Sequence, residues 1–263
     1  MRFSAHIEAL YSEIPFEDRF AAAAADGFKF VEMWDWDNKD LEVVKTKLKE
    51  NDLILTAMSG DKRYDMCNPD DFASYVEQVK ESILTAKELN CPNVVIHSNE
   101  LSPEGPVTNS YPELSEAVKL CAMFCKLKAL APFAEENDIT LVIEPLNTVT
   151  DHMGCFLTSV EQTADLAKAV GSPNVKVLYD IYHMYIENGK ITETWDKCLD
   201  EVGYVHFADA PGRHEPGTGV INYAGVFAHM RKIGYKGFLG CELFASKGTK
   251  KAIEAIKEAA VEL

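Results

Sequence analysis

The sequence predicts an α/β protein folded as a single (β/α)8 TIM barrel, and three observations carry that prediction. Short apolar runs alternate with amphipathic stretches eight times, with no break in composition. The chain has 263 residues, close to the roughly 250 that a closed barrel of this kind takes as one unit. No GxGxxG, GxxxxGKS or GxxxxGKT follows the first strand, so a doubly wound nucleotide-binding sheet has no sequence support. Residues 1–263 are therefore read as one domain.

Residues 3–7 read as the first strand. Pro15 opens a helix that carries Phe16, Phe20 and an alanine run to a cap at Gly27. Residues 28–34 form the second strand and residues 40–50 its helix. The third strand is 53–58, followed by a helix over 71–89 with Phe72, Val76, Val79, Ile83 and Ala86 at helical spacing. The fourth strand, 93–97, leads through a loop rich in Ser, Pro, Gly and Asn to the longest helix, 113–136, where Pro132 predicts a kink. The fifth strand, 139–143, ends at Glu144-Pro145, and a helix over 159–170 stops at Gly171. The sixth strand, 175–179, ends at Asp180, with its helix near 191–201. The seventh, around 204–207, opens into a polar loop that precedes a helix over 223–233. The eighth, 237–241, ends at Glu242, and a helix over 250–261 follows.

Composition narrows the function. Hydrophobic residues make up 47% of the chain, enough for a large core, and 26 basic against 42 acidic residues give a formal charge of −16. With no clustering of the basic residues, that balance argues against a phosphate-backbone partner. The seven cysteines contain no CxxC and mostly occupy apolar periodic positions, which points to reduced thiols in a cytoplasmic protein instead of a disulfide framework or zinc site. No apolar run reaches the roughly 18 residues needed to span a bilayer, and no targeting segment is evident. A small molecule is the expected partner, with no nucleic acid and no membrane; a homo-oligomer stays open.

Four charged residues fall at the C-terminal ends of successive strands: Glu144, Asp180, His206 and Glu242. Each alone would ordinarily cap a helix or pair with a lysine. In a barrel, however, these ends converge on one face, and three carboxylates with one imidazole cannot satisfy one another by salt bridges. A divalent cation resolves the repulsion. This oxygen-rich set suits Mg²⁺ or Mn²⁺, with Co²⁺ tolerated through the nitrogen ligand, better than zinc.

The fragments Ile143-Glu144-Pro145-Leu146-Asn147, Tyr179-Asp180-Ile181-Tyr182-His183, Cys241-Glu242 and the loop Asp209 through Gly219, with its Arg213-x-Glu215-Pro216-Gly217-x-Gly219, resemble the hydroxypyruvate isomerase family. That family lies within the xylose-isomerase-like TIM barrels, which also include ketose 3-epimerases and endonucleases acting at abasic sites. The resemblance covers essentially the whole chain. It implies a metal on Glu144, Asp180, His206 and Glu242, acid/base roles for the two glutamates, and substrate oxygens held by His183 and Arg213. One position departs: hydroxypyruvate isomerases often carry glutamine where His206 stands, whereas ketose 3-epimerases carry histidine.

The residues themselves support the same chemistry. Moving a proton between adjacent carbons of a hydroxy-carbonyl compound needs an electrophile on its oxygens and carboxylates beside the enediolate, roles open to a metal and to Glu144 and Glu242. Arg213, on a loop stiffened by Pro and Gly, suits a bidentate clamp on a carboxylate or hydroxyl pair, against the plainer reading of a salt bridge to Asp209 or Glu215. His6 and His97 end the first and fourth strands and are candidate pocket residues, or else hydrogen-bonded barrel histidines. Trp34 and Trp36, with Asp35 and Asp37, form a rim that stacks a ring substrate or packs under a loop; Asn147 is a candidate to orient Glu144. His152, His214 and His229 carry no functional expectation. Alternatives to the isomerase are a ketose 3-epimerase, a lyase or decarboxylase acting on an oxo-sugar acid, a repair nuclease and a binding barrel. The last two fit the charge and the paired glutamates poorly.

Overall fold

The computed structural model describes residues 1–261. Eight parallel strands close a barrel in sequence order: β1 (Arg2–His6), β2 (Phe30–Asp35), β3 (Ile54–Ser59), β4 (Asn93–Ile96), β5 (Thr140–Ile143), β6 (Val175–Asp180), β7 (Val202–His206) and β8 (Phe238–Cys241). Closure is made by β1 against β8, with Ala5 opposite Cys241. The β6–β7 register sets Asp180 opposite His206, and the β7–β8 register sets His206 opposite Gly240. The helices around the barrel are α1 (Ile7–Leu10), α2 (Phe16–Ala25), α3 (Leu41–Glu50), α4 (Phe72–Glu88), α5 (Glu116–Glu136), α6 (Val160–Val170), α7 (Ile181–Asn188), α8 (Thr192–Cys198), α9 (Tyr223–Lys232) and α10 (Thr249–Val261).

Strand periodicity decides what faces the axis, because successive side chains point to opposite faces of a strand. Ala57, Val95, Val142, Leu178 and Tyr204 form a small apolar plug inside the barrel, with Phe238 packed against it. Their sequence neighbours Val94, Leu141, Ile143, Val177, Tyr179, Val205 and Leu239 belong instead to the large cluster shared with the surrounding helices. Two residues beyond plug positions stand His97, Glu144, Asp180 and His206. The period of two therefore points them into the barrel mouth above an apolar floor.

Several elements differ from the sequence expectation. Strand β1 ends at His6, whose Nδ1 caps α1 by accepting from Ala9 N, so Ile7 starts a helix instead of finishing the strand. Helix α7, unexpected from the sequence, begins directly after β6: Asp180 caps it by accepting from Tyr182 N and His183 N, and Gly189 ends it in the left-handed conformation. The helix expected over 191–201 is α8 followed by a short 3₁₀ turn. Pro132 lies within α5, which continues to Glu136.

Candidate active site

The site is assembled on the C-terminal strand ends. Glu144, Asp180, His206 and Glu242 are all buried, and each contributes a ligand-type atom within 4.8 Å of the others. The atoms facing one another are Glu144 Oε1, Asp180 Oδ2, His206 Nδ1 and Glu242 Oε2. Asp180 Oδ2 and Glu242 Oε2 share Arg213 Nη2, and His206 Nδ1 lies 3.7 Å from Glu144 Oε1 and 2.9 Å from Glu242 Oε2. The shorter of these two His206 contacts lacks hydrogen-bond alignment, so Nδ1, like Glu144 Oε1, is a buried polar atom with no hydrogen-bond partner. Four converging donor atoms of this chemistry, two of them without a hydrogen-bond partner, fit a divalent cation. All four sequence-predicted ligands are thus brought together.

The remaining carboxylate oxygens are held from outside the quartet. Glu144 Oε2 lies 3.2 Å from His97 Nε2, and His97 Nδ1 lies 3.0 Å from Asp61 Oδ1. Asp61 also accepts from His97 N and from the Tyr75 hydroxyl. Glu242 Oε1 accepts from the Trp34 indole at 2.7 Å, with His6 Nε2 at 3.8 Å. Trp34 is fixed in turn by Glu8, which accepts from its backbone N and pairs with Lys39. Asp180 Oδ1 is used as the cap of α7.

Electrostatics divide the carboxylates. Burial raises the carboxyls of Glu144 and Glu242, but the adjacent His206 and His97 imidazoles for Glu144, and the charges of Arg213 and His206 for Glu242, outweigh it, and both are held well below the usual range. Asp180 has Arg213 in its favour, but full burial and the charges of both glutamates push it up to about 6. Burial opposes the imidazolium of His206 and of His97, yet the adjacent carboxylates hold both well above their ordinary value. Burial and Arg213 keep His183 neutral, and burial lowers His6.

His6, His97, His183 and Arg213, all sequence candidates, line one cavity of about 650 Å³ with Glu144, His206 and Glu242. Arg213 pairs with neither Asp209 nor Glu215; it reaches Asp180 and Glu242 and lies over the Tyr182 ring. Asp209 and Glu215 build its loop instead. The Asp209 carboxylate accepts from the backbone N–H groups of Ala210, Gly217, Gly219 and Ile221, and Glu215 accepts from Ser246 N and Oγ. A Cβ on Gly219 would fall 2.1 Å from Ala210 O, so the loop closes only around glycine. Asn147, expected to orient Glu144, donates to His183 Nδ1. Trp34 lines the cavity, whereas Trp36 bonds Ser82 on α4. Sequence reasoning missed Glu32, Asp61 and His152. Glu32 was detectable by parity, two residues before Trp34 on one strand, and His152 lines the cavity with its Nδ1 on Gly105 O. Asp61 had no sequence signal.

A closed parallel barrel with catalytic-type side chains gathered at its C-terminal mouth defines a (β/α)8 enzyme. Residues 20–260 match the family described as the xylose isomerase-like TIM barrel, and the chain belongs to that family. It is 33% identical to the hydroxypyruvate isomerase of Escherichia coli, over 92% of this chain and 93% of that one. It is 29% identical to the 2-oxo-tetronate isomerase of Cupriavidus necator, over 97% of each. Among solved structures, the AP endonuclease, family 2 of Brucella melitensis superposes with a TM-score of 0.89 at 26% identity over 98% of both chains.

Proposed function

We propose that this chain is a divalent-metal-dependent isomerase of a short 2-oxo hydroxy acid of the hydroxypyruvate type, which moves a proton between adjacent carbons through the enediolate of the substrate. One observation carries the reading. Two glutamates each turn one oxygen into a four-donor cluster while a separate donor, His97 for Glu144 and Trp34 for Glu242, holds the other. The similarity to hydroxypyruvate and 2-oxo-tetronate isomerases supports the acid class. Glu144, Asp180, His206 and Glu242 would hold Mg²⁺ or Mn²⁺, with Co²⁺ tolerated. Once bound, such a cation supplies electrophilic polarisation of the substrate's carbonyl and hydroxyl oxygens.

The chain's own residues do the rest. Glu144 Oε2 and Glu242 Oε1 are the oxygens left to take and return the proton. Asn147 Oδ1 accepts from Thr150 N, Thr150 Oγ1 and Asp151 N, so its amide nitrogen donates to His183 Nδ1 and the proton of neutral His183 lies on Nε2. His183 Nε2 and Arg213 Nη1 lie 2.8 Å apart at the cavity, so a substrate oxygen entering between them would accept from both. The free cysteines suit a reducing, cytoplasmic setting.

A neutral ketose remains the second reading, favoured by histidine at 206. A nuclease is disfavoured by the charge of −16 and by a single metal-type cluster among the described residues. Chelated protein reconstituted with Mn²⁺ should convert three- and four-carbon 2-oxo hydroxy acids faster than ketohexoses, with solvent deuterium entering at carbon. Full turnover after exhaustive chelation, or a higher rate on the ketohexose, refutes the proposal.

A further inference from the structure

Glu32, in the middle of β2, is fully buried inside the barrel and plays no part in the quartet. Its Oε2 lies 3.1 Å from His206 Nε2, and its Oε1 has no hydrogen-bond partner. A carboxylate withdrawn from water and left half unsatisfied is costly, so its presence there calls for a compensating interaction. On the neighbouring strand β8, Gly240 stands opposite His206 in the register, and a Cβ there would fall 2.2 Å from Glu32 Oε1 and 2.5 Å from His206 Cδ2. The inward position of β8 is thus vacated for the Glu32–His206 pair. Tyr204 packs edge-on against the His206 ring at 5.5 Å and gives its hydroxyl to Thr56, closing the pocket from below.

An imidazole has two nitrogens, and the partner of one fixes the role of the other. With Nε2–H donated to the Glu32 carboxylate, neutral His206 carries its lone pair on Nδ1, the atom that faces Glu144 and Glu242. We propose that Glu32 is a positioning residue that holds His206 in the Nε2–H tautomer and turns Nδ1 toward the cation, and that Gly240 is the space-making position that lets the pair form. The proposal rests on the reading of the quartet as a metal site.

The test uses Zn²⁺-loaded protein labelled with ¹⁵N-histidine, together with calorimetric Mn²⁺ titrations. Two-bond ¹H–¹⁵N correlations should show the His206 proton on Nε2 and Nδ1 bound to metal. Glu32→Leu should weaken Mn²⁺ binding by about 10–100-fold. Glu32→Gln, which keeps an acceptor for Nε2–H, should stay within about threefold of wild type, while Gly240→Ala should weaken binding in the direction of Glu32→Leu without removing a polar group. Should Glu32→Leu fail to fold, the wild-type spectrum and Glu32→Gln still decide. A His206 proton on Nδ1, equal Mn²⁺ affinity in Glu32→Leu and wild type, or a loss in Glu32→Gln as large as in Glu32→Leu overturns the positioning role and leaves the metal site standing. Wild-type protein that binds neither Mn²⁺ nor Zn²⁺ overturns both.

Discussion

Metal binding to this chain should stabilise it in a strongly pH-dependent way, because the cluster is protonated when metal-free. Asp180 is raised to about 6 by burial and by Glu144 and Glu242, and His206 stays protonated well above 6.5 because Glu32, Glu242 and Glu144 outweigh its burial. A cation must displace both protons. Above about pH 6 Asp180 is ionised and the His206 proton alone is released; below it, two protons leave per ion. Each displaced proton weakens binding tenfold per pH unit. From pH 7.5 to 5.0, Asp180 alone therefore costs about tenfold, and displacing the His206 proton adds a further loss in the same direction. At pH 7.5 and metal at about one hundred times Kd, stabilisation is about 2.7 kcal/mol, which raises Tm by about 5–10 °C for a chain of this size. At pH 5.0 and the same metal concentration the shift should fall to less than about half. Differential scanning calorimetry with and without Mn²⁺, and calorimetric proton counts in two buffers, measure both quantities. A Tm shift unchanged between pH 5 and 8, or no proton release, would show that the metal-free cluster carries no displaceable protons. In the metal-free protein Asp180 acts in the opposite direction. A carboxyl raised on folding stabilises the fold below its unfolded value of 3.8, and that contribution is lost as pH rises to about 6. The difference between wild type and Asp180→Asn isolates this effect in chemical denaturation.

Glu144→Gln and Glu242→Gln should retain more metal than the alanine variants yet abolish exchange of the substrate's α-hydrogen with deuterated solvent; unchanged exchange in both, read by NMR, would place the bases elsewhere. Arg213→Lys keeps the charge but loses the fork that reaches Asp180, Glu242 and His183. Its kcat/KM on a hydroxypyruvate-type acid should fall about 10–150-fold, from one lost charge-assisted bond of about 1.5–3 kcal/mol, against about 2–12-fold on a neutral ketose. A small effect on the acid sinks the acid reading. Asp209→Ala strips the carboxylate that four backbone N–H groups donate to, and should cost about 2–4 kcal/mol in urea unfolding and raise KM by releasing Arg213. Unchanged stability and KM would show that the loop is held by other means.

The sequence alone determined the barrel, since eight apolar runs of strand length interleaved with helical periodicity are a local signal. It also placed Glu144, Asp180, His206 and Glu242 together, because each ends a strand and the fold rule carries all such ends to one face. It misplaced elements where tertiary contacts start a helix early: α7 follows β6 without a loop because Asp180 serves both as cap and as cluster carboxylate, a double use that strand-end reasoning does not anticipate. The partners of these side chains depend on how the strands come together. Asp61 reaches His97 from a loop after β3, Trp34 reaches Glu242 across 208 positions of sequence, and Arg213 passes by its loop neighbours Asp209 and Glu215 for Asp180 and Glu242. Parity along one strand is written in the sequence, but which side chain from another strand stands at the same height depends on register and barrel closure. Those are properties of eight strands at once, and no single segment encodes them.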